Sequence, residues 1–375
     1  MNPTYRVPYT NFPAQYRGME KEVLAAVEGV LATGSYILRD AVRELEKELA
    51  GFLKVKEVVG VGSGTDALFL PLYALGIKPG DEVITVSHTF VATIAVIAHC
   101  GATPVLADIA SDFNMDVQKI KALLTSRTRA ILPVHLNGRM CDIEGILKIA
   151  QEYGLVVIED SAQALGAARN GKMAGSWGQA GCFSLHPIKN LGGAGDGGFV
   201  ATNDSVLADR LRLLRNHGQE TKDKISCFGF NSRLDNLQAA ILRVKLPRLN
   251  GWIQRRRSIA VAYCQGLKNL GWLSLPPEPS SASCYDVYSS FVVRCAQRDE
   301  LAEHLKRDGI EAVIHWPVPN HKQTDLNLTQ FNLPATEKTA KEVISLPIHG
   351  ELSDEQVQAV TESIKNFQPR GRGPA

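Results

Sequence analysis

Residues 181–200 read GCFSLHPIKNLGGAGDGGFV. An apolar, strand-like run leads to one lysine, Lys189, and glycines follow at 192, 193, 195, 197 and 198. A surface lysine needs no such neighbourhood. A lysine held in a dry pocket sheds its proton more readily and becomes nucleophilic towards an aldehyde. The glycines are expected to let the chain bend closely around a cofactor. Taken alone, the stretch reads equally well as a solvated lysine in a flexible loop.

Outward from it, strand-like and helix-like segments alternate from about residue 40. Helical spacing over 42–52 precedes a β-branched run at 58–61, a helix at 67–75, a strand at 83–86 and a helix at 91–99. The pattern repeats with strands at 104–109, 130–134 and 155–158, and helices at 117–124 and 143–153. Runs apolar on both faces suit a sheet covered on both sides. The fold class expected is therefore α/β: a large domain with a mainly parallel mixed sheet between helices, plus a smaller α+β C-terminal domain. The boundary is placed between 1–248 and 249–375, with the N-terminal segment packing on the smaller unit. A long helix is predicted over 237–267, kinked near Pro247. A Pro- and Ser-rich connection follows over 271–284, then a strand at 289–293, a helix at 299–308 and a strand at 312–315. The tail 369–375, PRGRGPA, has the composition of a disordered segment.

Composition excludes several classes. The chain has 375 residues, 45% of them hydrophobic, and 41 Lys and Arg against 39 Asp and Glu give a net charge of only +2. The basic residues are scattered, so nucleic acid is not an expected partner. The most apolar run, 90–98, is too short to span a bilayer, and no membrane partner is expected. Seven cysteines without a Cys-x-x-Cys motif read as reduced thiols of a cytoplasmic protein. His315 and His321 lie six apart with no further ligands, so no metal site is read.

Two further stretches fall where strands end, which is where ligands gather in such sheets. GSGTDAL (62–68) follows a strand and opens a helix, and the free N–H groups of a helix start favour an anion such as phosphate. By itself it is also an ordinary capped turn, with Ser63 or Thr65 as the cap. VVIEDSAQALGA (156–167) sets Asp160 at the rim of a buried strand, where a carboxylate needs a cation or a hydrogen-bond donor. A protonated pyridine nitrogen would serve, and so would a role as helix cap. Phosphate cradle, carboxylate and reactive lysine together are what pyridoxal 5′-phosphate (PLP) requires, the cofactor acting as electron sink.

In order, GSGTDAL, SHTFVAT, VIEDSAQALGA, FSLHPIKNLGGAGDGG, LRNHGQ and GFNSRLDNLQAAIL resemble the DegT-type PLP-dependent nucleotide-sugar aminotransferases of the aspartate aminotransferase (fold-type I) superfamily. The resemblance runs from GSYILRD near 34 to SLPIH near 345. It implies that Lys189 bonds covalently to PLP, Asp160 partners the pyridine nitrogen and Gln163 lies near the ring oxygen. It implies that Phe90 stacks on the cofactor and that Gly64, Thr65, Asp66 and Ser184 contact the phosphate. Asn231 matches a residue that reaches the neighbouring subunit's phosphate, implying a homodimer with shared active sites; as a residue it also reads as a turn before the long helix. His186, His315 and Trp316 are the implied substrate residues. The family commonly has His-Tyr-Pro where this chain has His315-Trp316-Pro317, and Trp316 reads equally as packing between domains.

The implied reaction passes an amino group from glutamate, through pyridoxamine 5′-phosphate, to a nucleotide-linked keto sugar, with ping-pong kinetics. The implied substrate is a dTDP-linked 3-keto-6-deoxyhexose. Alternatives are UDP- or dTDP-linked 4-keto sugars, UDP-linked 3-keto uronic acids, a PLP-dependent lyase or dehydratase, and a non-catalytic sensor of PLP and sugar nucleotide. Some relatives carry histidine in place of the lysine and run a dehydration; Lys189 favours transamination. O-antigens and glycosylated natural products are the implied destinations.

Overall fold

The computed structural model describes residues 5–279 and 283–369; most of the tail read as disordered, 370–375, lies outside them. Three helices precede the first strand: α1 (Phe12–Arg17), α2 (Glu20–Thr33) and α3 (Asp40–Leu53). Alternation follows through β1 (Glu57–Val61), α4 (Gly64–Ala74), β2 (Glu82–Val86), α5 (Ala92–His99), β3 (Thr103–Ala107), α6 (Val117–Ile120), β4 (Thr128–Ile131), α7 (Ile143–Tyr153) and β5 (Val156–Asp160). Short strands β6 (Ala168–Arg169) and β7 (Lys172–Met173) lead into β8 (Ala180–Ser184), β9 (Gly198–Thr202) and α8 (Ser205–Leu214). A small hairpin, β10 (Gln219–Thr221) and β11 (Lys224–Ile225), precedes α9 (Asn236–Lys245) and α10 (Leu249–Leu267). Last come β12 (Leu273–Ser274), β13 (Cys284–Tyr285), β14 (Phe291–Cys295), α11 (Arg298–Arg307), α12 (Pro334–Glu342), β15 (Val343–Leu346) and α13 (Asp354–Asn366).

The large sheet has seven strands in the order β1-β9-β8-β5-β4-β2-β3. Its pairs from β8 to β3 are parallel, and β9 runs against both its neighbours. Strands β2 and β9 are buried at every position, as the unbroken apolar runs require when helices cover both faces. Side chains of α3, α7 and α9 fill one face with Phe183, Phe199 and Ile131, while α4, α5 and α8 fill the other with Val59, Ile158 and Val200. The predicted mainly parallel α/β sheet is the one observed.

A second cluster is built on the antiparallel sheet β12-β14-β15 with α10, α11 and α13. Val7 is buried in it. Val7 N donates to Gly309 O (3.0 Å), Glu311 N donates to Val7 O (2.9 Å), and Tyr9 N donates to the Glu311 carboxylate (2.8 Å). His349 Nε2 donates to Pro8 O and Gln356 Nε2 to Arg6 O, so the 6–9 segment is strapped along this sheet.

The long helix over 237–267 is present as α9 and α10, joined by a 3-10 turn at Leu246–Arg248. Pro247 there lacks the N–H that an unbroken α-helix needs. Four expectations change. Helices α1 and α2 lie before the region where alternation was read. The 104–109 strand stops at Ala107 because Asp108 is diverted: its carboxylate accepts from Ala335 N, Thr336 N and Thr336 Oγ1 at the start of α12. The 271–284 connection holds β12, paired with β14, and ends in β13, paired with β6. The strand over 312–315 reduces to one bridge, Val313 with Ser345. Trp316 then turns into the left-handed region at φ 50° and Pro317 offers no donor, so the ladder cannot extend.

Candidate active site

The site forms where β1, β5 and β8 end. Ser63 caps α4, its side chain accepting from Asp66 N at 3.0 Å, so the cap read as possible for Ser63 or Thr65 falls to Ser63. Gly64 has to be glycine: a Cβ there would lie 2.6 Å from Ser184 Cβ. Beyond Ser184 the chain turns back, with Lys189 N donating to His186 O and Leu185 N to Gly197 O. The glycines after Lys189 do not wrap a ligand cavity as expected. They meet protein: a Cβ at Gly192 would lie 2.2 Å from Pro187 O, and one at Gly198 would lie 2.3 Å from Ser63 O. They let the lysine loop fold on itself and β9 pass against the start of α4.

These strand ends enclose a cavity of about 440 Å³. Gly64, Thr65, Phe90, Asp160, Gln163, Ser184, His186 and Lys189 all line it, although they come from four separate stretches of sequence. Phe90 is 59% exposed, with its ring at the cavity wall. Gln163 Oε1 accepts from Asn137 N at 2.8 Å. Asp160 is only 5% exposed. Its Oδ2 accepts from Thr93 Oγ1 at 2.8 Å and its Oδ1 from Ala162 N at 3.2 Å. Burial raises the Asp160 pKa, against the pull of these hydrogen bonds and of the Lys189 charge. Burial lowers the Lys189 pKa, and the Asp160 charge offsets part of that. The two groups thus face one cavity with opposite tendencies: a carboxylate short of partners and an amine inclined to give up its proton.

Four of the sequence-selected residues stand outside the cavity lining. Asp66 sits in the first turn of α4 with its carboxylate beside Gly62. Asn231 is exposed and its backbone bridges to Asn216. His315 Nδ1 bonds Ser345 Oγ at 2.9 Å; burial and then the nearby Lys189 charge lower its pKa. Trp316 packs edge-on against His88, centroids 5.5 Å apart.

Other contributors carried no role in the sequence reading. Thr89 and Thr93, both in SHTFVAT, line the cavity and are bonded to each other at 2.9 Å; their spacing of four at a helix start was the available signal. Asn320 Nδ2 donates to the carbonyls of Ser87 and Thr89 at 2.9 and 2.8 Å. Nothing local in the sequence marks Asn320 as a neighbour of residue 89.

The model of the DegT/DnrJ/EryC1/StrS aminotransferase family matches residues 18–365. The chain belongs to that family. Among its relatives, a pleiotropic regulatory protein of Geobacillus stearothermophilus is 43% identical over 96% of this chain and 98% of its own. The UDP-N-acetyl-3-dehydro-alpha-D-glucosamine 3-aminotransferase of Acidithiobacillus ferrooxidans is 42% identical over 96% and 97%. The dTDP-3-amino-3,4,6-trideoxy-alpha-D-glucose transaminase of Streptomyces venezuelae is 40% identical over 98% and 97%. In three dimensions, S. venezuelae DesV, solved in complex with a ketimine intermediate, superposes with a TM-score of 0.93 at 40% identity, covering 96% of this chain and 98% of that one. No helix of the described residues is long and apolar enough to cross a membrane.

Proposed function

We propose that this aminotransferase uses PLP to move an amino group from glutamate to C3 of a nucleotide-linked 3-keto sugar, with a dTDP-linked 3-keto-6-deoxyhexose as the preferred substrate. The observation that carries the reading is the cavity in which half-buried Lys189 and buried Asp160 share one wall system with the capped start of α4.

The residues present fit the cofactor. Asp160 has acceptor capacity left for a ring N–H, Gln163 lines the same cavity, and Phe90 offers an exposed aromatic face. Thr65, Ser184 and the N–H groups at the start of α4 suit a phosphate, with Asp66 close behind them. When bound, PLP supplies an electron sink. Lys189 Nζ, whose pKa burial lowers, is placed to take the proton on the donor's α-carbon. Asp160 would hold the protonated ring nitrogen. His186, in the cavity wall, and His315 with Trp316, beside it, are assigned to the sugar.

The relatives' 3-amino and 3-dehydro sugar names, on dTDP and on UDP, support amination at C3; the stretches SHTFVAT and HPIKNLGGAGDGG favour dTDP. The same reading divides the chain at 248/249 and takes two copies in the cytoplasm, with Asn231 of each serving the other's phosphate. Apolar side chains exposed on α2 (Leu24, Leu31) and at Phe228 beyond the hairpin support a covered face.

The test is a visible spectrum of the protein with PLP, before and after excess glutamate, then with dTDP- and UDP-linked 3-keto sugars. Loss of the long-wavelength band with glutamate and its return with one sugar is the expected result. No band at all removes Lys189 from its role. A band that glutamate leaves unchanged moves a lyase, another donor or a sensor forward.

A further inference from the structure

Thr89, Thr93 and Asp160 form one buried chain of side-chain hydrogen bonds, 2.9 Å between the hydroxyls and 2.8 Å from Thr93 Oγ1 to Asp160 Oδ2. All three line the cavity. Each hydroxyl has a single hydrogen, and an ionised carboxylate only accepts. With Asp160 ionised, the hydrogen of Thr93 is therefore committed to Asp160. The contact between the two threonines must then be donated by Thr89. The direction of the whole chain follows from the charge on Asp160.

We propose that Thr93 is a positioning residue that fixes the Asp160 carboxylate for a protonated ring nitrogen, and that Thr89 in turn fixes the Thr93 hydroxyl. The inference rests on the assignment of Asp160 made above. Three features support it. Thr93 is β-branched and lies in the first turns of α5, where its side-chain torsion is restricted. Ala162 N holds the other Asp160 oxygen, so the carboxylate plane is set from both sides while further lone pairs stay open. The backbone at Thr89 is held in turn by Asn320 Nδ2, which donates to Thr89 O. The chain thus begins at a residue of the 320–322 turn and ends at the group facing Lys189.

The test is PLP affinity, measured by quenching of intrinsic fluorescence when PLP is titrated into the apoprotein, for wild type, Thr93→Val, Thr93→Ser, Thr89→Val and Asp160→Asn, with a melting curve for each apoprotein. Removing a hydrogen bond to a charged group should weaken binding by about tenfold in Thr93→Val, with Thr93→Ser restoring it to within about threefold and Thr89→Val falling between. A merely structural threonine would not show rescue by serine at unchanged melting temperature. Thr93→Val binding PLP within about twofold of wild type overturns the proposal. Should Thr93→Val fail to fold, Thr89→Val decides: unchanged affinity overturns the chain, and weakened affinity at an unchanged melting temperature upholds it. Asp160→Asn separates the two levels. If it loses affinity while Thr93→Val does not, only the threonine chain falls; if it binds normally, the assignment of Asp160 falls too.

Discussion

Glu159 and Asp160 are neighbours at the end of β5, and alternation along a strand sends their side chains to opposite faces. On one face, Glu159 Oε1 accepts from Trp177 N and Gly178 N at 2.7 and 2.8 Å, and Oε2 from Gly175 N and His135 Nε2 at 2.9 and 2.8 Å. His135 Nδ1 accepts from Cys141 N, so the ring is the Nε2–H tautomer and its one hydrogen goes to Glu159. Every acceptor site of that carboxylate is used. On the other face, Asp160 takes two hydrogen bonds among the described residues and looks into a cavity. Burial alone does not separate a scaffold carboxylate from a reactive one. Unfilled hydrogen-bond capacity at equal burial does.

Substitutions can break that contrast, and the largest effect is expected at the amine facing the unfilled side. Lys189→Ala should cut turnover by at least about 10³-fold, with the chemical-denaturation midpoint of the apoprotein nearly unmoved; residual turnover near wild type would remove the lysine from the chemistry. Glu159→Ala should do the reverse. Three backbone N–H groups and a buried histidine lose their acceptor, at a cost of about 3–5 kcal/mol in unfolding free energy, read from urea titration; a cost under about 1 kcal/mol would show the face is not scaffold. Asp160→Asn should lower turnover by about 10²-fold while apoprotein stability stays level or rises, since a buried charge short of partners is removed. Equal losses of stability in Asp160→Asn and Glu159→Ala would erase the contrast.

The smallest effect tests the same idea at a histidine. His88 Nδ1 is buried without a hydrogen-bond partner among the described residues. Burial, then repulsion from His315, lowers its pKa from 6.5 to about 4. The unfolded chain therefore binds the proton more readily, and stability contributed above pH 6.5 is lost as pH falls towards 4. Between about pH 7 and pH 5 this amounts to about 2 kcal/mol. His88→Met should be less sensitive over that interval; identical pH profiles for variant and wild type would show that His88 has a partner.

Much of this was legible beforehand. Alternating apolar runs pointed to the mainly parallel sheet, and polar stretches at strand ends picked out Gly64, Asp160 and Lys189, because local period and turn chemistry are local properties. Pro247 marked its own break. What escaped depends on distant partners. Nothing near Glu159 says that residues 175–178 will fold back on it, and nothing near Asn320 points to Thr89. The glycines after Lys189 were expected to approach a cofactor, and they approach protein instead: Gly192 the backbone of Pro187, Gly198 that of Ser63, and Gly193 and Gly195 the Gln238 side chain. The run at 312–315 has strand composition and lacks an edge to extend along, since Trp316 turns away at positive φ.

The strap at residues 6–9 has a meaning in time as well as in space. Tyr9 meets Glu311 across 302 positions of chain. A ribosome adding about 5–20 residues per second needs roughly 15–60 s to cover that distance. Until then Val7 lacks the Gly309 and Glu311 partners that hold it, and β15 of the sheet it borders is still to be made. Residues 7–9 are thus made long before the residues that hold them, and can be seated only after Glu311 has followed.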